Sequence, residues 1–298
     1  MEFRTLGKTG LRCSVLGLGT ARLTSLATKL SRRDALKLID LAAAQGINLI
    51  DTADIYGQGE SEEVVGQALR GRRDDFVIAT KVGYSFSGSG RLLAMAKPIL
   101  KPMLRPLKAA RSIVSNARSN AQAANILRQD FSPNRLAAAV DASLRRLRTG
   151  YVDILYLHDV PADAAGSPEV IEALKALCRS GKVRYVGLSS GEEDVLGLAA
   201  GQSFFAAVQM PLDPSSLASR TAVLRKLADA GIGVVANRTF ESGAEPGRQD
   251  SRQAALALAA RQPGICSVLT GTTSADHLRE NVAGTLAALQ AEPSGPRP

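Results

Sequence analysis

Four side chains that could together move a proton stand just behind three short apolar runs. Asp51 ends NLID, Tyr56 lies five residues on in DTADIYGQGESEE, Lys81 follows VIAT, and His158 follows DILYL. Taken singly, each has an ordinary explanation. A strand-end Asp often caps the next helix, and a lone Lys or Tyr is usually a surface residue. A lone His, here one of two in the chain, is usually a satisfied structural residue. Their combined chemistry fits one task. A phenol with a pKa near ~10 is a poor proton donor at neutral pH. A neighbouring ammonium favours the phenolate and lowers that pKa, and a carboxylate keeps the ammonium charged and in place. His158 can hydrogen-bond a substrate oxygen or share the proton with Tyr56. Such a set can protonate a carbonyl oxygen. It holds no convincing nucleophile and no metal cage, so the electron pair must come from another reactant.

The elements needed to bring these four together are legible in the hydrophobic pattern. Strand candidates are Val15–Gly17, Ile47–Ile50, Phe76–Thr80, Val152–Leu157, Val183–Gly187, Ala206–Gln209, Ile232–Ala236 and Ser267–Leu269. Helical patterns follow them at about 33–45, 60–70, 134–148, 168–180, 192–200, 215–230, 251–261 and 275–290. The third helix is the clearest, with Leu136, Val140, Leu144 and Leu147 on one face. Ser132-Pro133 and Ser167-Pro168 predict N-caps with proline at the first helical position. Eight short apolar strands, each with its helix, predict a parallel sheet buried on both faces. Eight is also the number that closes a (β/α)8 TIM barrel, and 298 residues is a usual size for one. A doubly wound open sheet is the competing α/β arrangement. Ahead of the first strand, Phe3–Leu6 and Leu11–Ser14 flank Gly7-Lys8-Thr9-Gly10, which predicts a β-hairpin capping the barrel bottom. Active sites of such barrels lie at the C-terminal strand ends, which is where the four residues fall.

Composition narrows the class. With 45% hydrophobic and 22% charged residues, the chain can bury a core and is neither disordered nor fibrous. Trp is absent and aromatics are 4%, so aliphatic side chains must fill that core. Cys13, Cys178 and Cys266 are an odd number, widely spaced and without CxxC, which argues against a disulfide framework or a zinc site. MEFRTLGKTG has no apolar signal region, and no uncharged apolar run reaches about 18 residues. A cytoplasmic protein with no membrane partner is the expectation. The net charge of +9 could suggest nucleic acid, but seven of those charges fall within Ser85–Phe131, where eight Lys and Arg face Asp130 alone. The rest of the chain is nearly balanced, and no nucleic-acid partner is expected.

With these motifs the chain resembles the aldo-keto reductase superfamily over nearly its whole length. The likeness rests on RTLGKTGLRCSVLGLGT, INLIDTADIYGQGESEEVVGQAL, VIATKVG, SLRRLRTGYVDILYLHDV, KVRYVGLSS, AAVQMP and GTTSADHLREN. Asp51, Tyr56, Lys81 and His158 fall on the family's tetrad in order. The resemblance implies an NAD(P)H-dependent carbonyl reductase that binds its dinucleotide extended over the barrel mouth, without a GxGxxG loop. It places Gly19, Thr20 and Ala21 near the nicotinamide, and Ser189 and Gln209 on its carboxamide, where Asp51 also lies. Ser190 stands where most members have Asn, and its hydroxyl can replace only part of an amide's bonding. Asn237 stands where an aromatic often stacks on the ring, which leaves face selection to other contacts. Arg238 is placed to bind pyrophosphate or to face solvent. Gly271, Thr272, Thr273 and Ser274 open the last helix, whose N–H groups suit a phosphate. Glu280 and Asn281 match the adenine contacts. Gly271 or Thr272 and His277 occupy positions that often carry Lys or Arg for a 2′-phosphate. NADP(H) is the favoured cofactor by resemblance, with NAD(H) the alternative.

The chain is expected to be one barrel domain over residues 1–298, with a basic insertion at 85–131 and a flexible tail at 291–298. The insertion follows Lys81 and so should emerge at the active-site face, where the family usually has a shorter connection. Prolines at 98, 102 and 106 forbid a regular helix there, while an alanine-rich stretch from Leu107 can form an amphipathic one. It reads equally as a basic lid favouring anionic substrates or cofactor phosphates, and as a solvated excursion. The leading function is reversible reduction of a small aldehyde or ketone to an alcohol. One alternative is a cofactor-binding regulatory or oligomeric subunit with little turnover, and another is a lyase or isomerase using Lys81 as a Schiff base. Pairing with Asp51 should keep that lysine protonated and poorly nucleophilic. The oligomeric state is left open.

Overall fold

The computed structural model describes residues 1–24, 28, 30–86, 127–240 and 249–291. An antiparallel pair, β1 (Phe3–Thr5) and β2 (Arg12–Ser14), precedes the barrel, with a 3-10 turn at Gly7–Thr9 between them. β3 (Leu16–Gly19), β4 (Leu49–Asp51) and β5 (Val77–Val82) begin the ring. β6 (Tyr84–Phe86) and β7 (Leu127–Gln129) pair antiparallel with each other outside it. β8 (Val152–His158), β9 (Val183–Ser189), β10 (Ala207–Pro211), β11 (Gly233–Asn237) and β12 (Ile265–Thr270) complete it. All eight neighbouring pairs are parallel and the ring closes between β12 and β3. This is the closed (β/α)8 barrel expected, and the open sheet is excluded by that last pairing. Lys81 and His158 extend two of the expected strands. Their backbones stay in the ladder, pairing with Tyr156 and Ser189, while their side chains occupy the mouth.

Helices α1 (Arg32–Ala44), α2 (Glu60–Ala68), α3 (Pro133–Leu147), α4 (Ala162–Gly166) and α5 (Pro168–Arg179) alternate with the strands. α6 (Glu193–Gly201), α7 (Leu217–Asp229), α8 (Gln249–Ala260) and α9 (Ala275–Gln290) continue the outer layer. α3 buries the apolar face expected of it. The five-residue α4 was too short to show a period. Two predicted caps are corrected. Ser132 and Ser167 precede α3 and α5, each with proline inside, but neither side chain caps its helix. Ser132 instead bonds the carboxyl of Asp130 two residues back, which competes for its hydroxyl and holds Asp130 below the usual carboxylate range. Ser167 also closes α4, with its N–H on Ala164 O at 3.3 Å.

Two apolar cores follow from this architecture. The larger lies between the outward strand faces and the helices. The smaller fills the barrel interior with Leu49, Val77, Ala79, Ile154, Tyr156, Ala207, Val235 and Cys266, and Leu6, Leu11 and Cys13 of the hairpin plug it from below. The Lys8 N–H bonds Gly231 O at 2.9 Å and fastens that plug to the segment entering β11. Apolar packing thus occupies the lower barrel and leaves the mouth for polar chemistry. No helix among the described residues is long and apolar enough to cross a membrane. The alanine-rich stretch from Leu107 and the tail beyond Ala291 lie outside the described residues.

Candidate active site

Strand ends bring the four candidate residues to one mouth. Asp51 is the last residue of β4, Lys81 the fifth of six in β5, and His158 the last of β8. Tyr56 comes from the 3-10 turn Tyr56–Gly59 that follows β4. The Lys81 ammonium donates to both Asp51 oxygens, at 2.7 Å (Oδ1) and 2.6 Å (Oδ2), and to Thr52 O at 3.0 Å. Both side chains are almost fully buried. Burial disfavours the ammonium, but the charges of Asp51 and Tyr56 and hydrogen bonds to both outweigh it. The net effect raises the Lys81 pKa, so the lysine is charged throughout the neutral range. Its Nζ lies 4.9 Å from the centroid of the Tyr56 ring. The Tyr56 and His158 rings meet edge to face, with centroids 6.0 Å apart at 80°. Asp51, Tyr56, Lys81 and His158 therefore converge as the sequence led us to expect.

The residues expected at the cofactor fall into two groups. At the top of β9 to β11, a hydrogen-bonded chain runs toward Asp51. The Gln209 amide donates to Asp51 Oδ1 at 2.7 Å, and its carbonyl accepts from Ser189 Oγ at 3.3 Å and Asn237 Nδ2 at 3.2 Å. Ser190 gives its N–H to Gln209 O, and its hydroxyl accepts from the Glu192 N–H. Thr20 points its N–H and hydroxyl at Asp51 O and accepts from Ser61, so it braces the end of β4. Gly19 is half-buried and Ala21 is exposed in the turn after β3. At the other end, Ser274 caps α9 by accepting the His277 N–H, and the Thr272 hydroxyl accepts from the Ser274 N–H. Asn281 is buried, with its amide on Thr270 Oγ1 at 2.9 Å. Gly271, Thr273, His277 and Glu280 are exposed along the same helix start, and Arg238 is exposed after β11.

Sequence reasoning missed three residues at this mouth. Tyr84 packs its ring against His158, and its hydroxyl donates to Asp159 Oδ2 at 3.2 Å. Gln129 donates to Asp159 O at 2.7 Å. Tyr84, three places after Lys81, and Asp159, directly after His158, stood close enough in sequence to be noticed. Gln129 carried no such signal, because the whole insertion separates it from Tyr84.

The closed parallel barrel thus carries a buried lysine–carboxylate pair, a phenol and an imidazole at its mouth. Residues 15–255 match the model of the aldo/keto reductase family, and the chain belongs to that family. It is similar to the uncharacterized oxidoreductase YqkF of Bacillus subtilis, at 28% identity over 95% of this chain and 90% of that protein. L-galactose dehydrogenase of Arabidopsis thaliana is 30% identical over 65% of this chain, a match that spans only half of the plant enzyme. Among solved structures, aldo-keto reductase AKR11C1 from Bacillus halodurans in its holo form superposes with a TM-score of 0.73. It shares 26% identity, and the match covers 98% of this chain and 92% of that one.

Proposed function

We propose that the protein reduces an aldehyde or ketone to an alcohol with NAD(P)H, with Tyr56 as the proton donor. The observation that carries this reading is the buried Lys81–Asp51 pair set against the Tyr56 ring. When bound, the reduced nicotinamide supplies hydride to the carbonyl carbon. Tyr56 gives its phenol proton to the carbonyl oxygen, and the Lys81 ammonium stabilises the negative charge left on the phenol oxygen. Asp51 keeps that ammonium charged and fixes its place. His158 donates a hydrogen bond to the carbonyl oxygen and orients it. In the reverse direction the phenolate takes the alcohol proton.

The residues present suit a nicotinamide dinucleotide. Asn237 Oδ1 and Thr239 Oγ1 are buried and have no hydrogen-bond partner among the described residues. The Asn237 oxygen can accept from a carboxamide, which Ser189 and Gln209 flank. Gly19, Thr20 and Ala21 border the same end. The N-terminus of α9, with Gly271, Thr272, Thr273 and Ser274, offers N–H groups and hydroxyls to phosphate. Arg238 adds a cation for the pyrophosphate, and Glu280 and Asn281 stand for the adenosine. His277 and the hydroxyls of the turn would take a 2′-phosphate less firmly than an arginine fork. NADP(H) is the cofactor proposed, with NAD(H) tested beside it.

The experiment is a titration with NADPH and NADH followed by fluorescence, then oxidation of the bound cofactor with a panel of aldehydes and ketones. Turnover with one of them is the expected result. A protein that binds either dinucleotide tightly yet oxidises it with none of the panel would overturn the reading in favour of a regulatory subunit.

A further inference from the structure

We propose that Tyr84 and Gln129 are positioning residues for His158, acting as a clamp that holds the turn leaving β8 and with it the angle of the imidazole. The inference rests on the carbonyl-reduction reading above for its consequence in turnover, though not for its geometry. His158 is 1% exposed and packs against two phenol rings, each nearly perpendicular to it. The Tyr56 centroid is 6.0 Å away at 80°, and the Tyr84 centroid 5.3 Å away at 83°. Edge-to-face packing against both rings restricts rotation of the imidazole.

The residue after it takes the chain out of the barrel at an unusual angle. Asp159 has φ +48°, a left-handed conformation that a residue with a Cβ holds only where its surroundings over-determine it. Three hydrogen bonds do so. Its N–H donates to Ser189 O at 2.8 Å, its carboxylate accepts from the Tyr84 hydroxyl at 3.2 Å, and its carbonyl accepts from Gln129 Nε2 at 2.7 Å. The same Gln129 nitrogen reaches His158 O at 3.3 Å. Tyr84 and Gln129 lie directly opposite each other in the β6–β7 pair, so one cross-strand pair supplies both jaws of the clamp.

That pair is itself anchored to β5. Gly83, two residues beyond Lys81, accepts the Asp130 N–H on its carbonyl at 2.8 Å. The Phe131 ring lies over it so closely that a Cβ there would sit 2.2 Å from the ring edge, and its φ of +128° also calls for glycine. A rigid run therefore leads from Lys81 through Gly83 and Tyr84 to the histidine.

Because the chain has only two histidines, His158 and His277, NMR of ring-labelled histidine reads the clamp without any turnover. His277→Gln assigns the two. The comparison is wild type against Tyr84→Leu, Tyr84→Phe and Gln129→Ala, each free and with NADPH, alongside kcat and KM for an aldehyde. His158 resonances should move in Tyr84→Leu and in Gln129→Ala. They should move less in Tyr84→Phe, which keeps the ring and loses only the bond to Asp159. The kcat of Tyr84→Leu should fall about tenfold, with little change in KM or NADPH affinity, and Tyr84→Phe should recover most of it. Should Tyr84→Leu fail to fold, the exposed Gln129→Ala and the isosteric Tyr84→Phe carry the test. His158 resonances that overlay wild type in all the folded variants would overturn the clamp. A wild-type protein that reduces no carbonyl would instead defeat the activity while leaving the resonance test intact.

Discussion

At the scale of single residues, the site is governed by how a charge is kept inside a barrel. An ammonium at 1% exposure is tolerated because the Asp51 carboxylate and the Thr52 carbonyl accept its hydrogen bonds and Tyr56 stands beside it. Removing the partner should be severe. Asp51→Ala leaves the lysine charge buried and unpaired, and we expect a loss of about 3–5 kcal/mol in denaturant unfolding as well as of activity. The folded-state pKa of Lys81 is raised. The stability that the pair contributes is therefore complete below the unfolded lysine value of ~10.4, and is lost as pH rises through the folded one. Tyr56→Phe keeps the ring beside Lys81 but has no proton to give. It should lower kcat by about 10²–10⁴ with dinucleotide affinity unchanged, as single-turnover and binding measurements would show.

Asp54, beside this machinery, is shifted upward too, but there the favoured form is the neutral one. Burial, and then the charge of Glu62, push its carboxyl up to about 7 against the pull of Arg146, and its Oδ1 has no hydrogen-bond partner among the described residues. Glu62 cannot relieve it, being committed to Thr80 Oγ1 at 2.6 Å and Arg146 Nε at 2.7 Å. The folded state thus binds this proton more tightly than the unfolded chain, whose value is 3.8. Its contribution to stability is complete below that value and declines as pH rises through 7. Asp54→Asn should therefore melt a few degrees above wild type at pH 8. The gap should narrow toward pH 5 in thermal scans.

At the scale of elements, close approach matters more than propensity. Gly66 lies in the middle of α2, where alanine would ordinarily be the better helix former by up to ~1 kcal/mol. A Cβ there would stand 2.5 Å from the Arg146 carbonyl oxygen, because α3 packs backbone to backbone against it. Gly66→Ala should reverse the propensity and destabilise by about 1–3 kcal/mol, measured by chemical unfolding. A stabilised variant would mean that α2 and α3 can separate without cost. Helix periods were legible because each helix shows its apolar face over several turns, as α3 does. The cap of α3 was misread because the Ser132 hydroxyl has the Asp130 carboxyl within reach, and that of α5 because Ser167 also ends α4.

At the scale of the whole molecule, the barrel does not need the basic insertion to close. Phe86 and Leu127 are cross-strand partners, so a short hairpin loop can replace residues 87–126. That deletion removes seven of the nine net positive charges. It should leave the melting temperature and NADPH affinity near wild type. A higher KM for carboxylate-bearing aldehydes would support the reading of the insertion as a basic lid, and an unchanged KM would remove it.

The ring of eight strands and the gathering of Asp51, Tyr56, Lys81 and His158 at its mouth could be read from the chain, because both are local properties. A strand shows itself by a few apolar residues in a row, and in a parallel barrel all strands point their C-terminal ends the same way. Any polar residue that ends a strand therefore arrives at the same face. What joins residues far apart along the chain was settled only by closure. The Gln209 amide reaches Asp51 because β4 and β10 face each other across the barrel mouth. Tyr84 meets Gln129 because two short strands pair over a long intervening segment. Such contacts leave no period and no neighbouring motif in a sequence, since their partners are chosen by the radius of the ring and by which strands lie side by side.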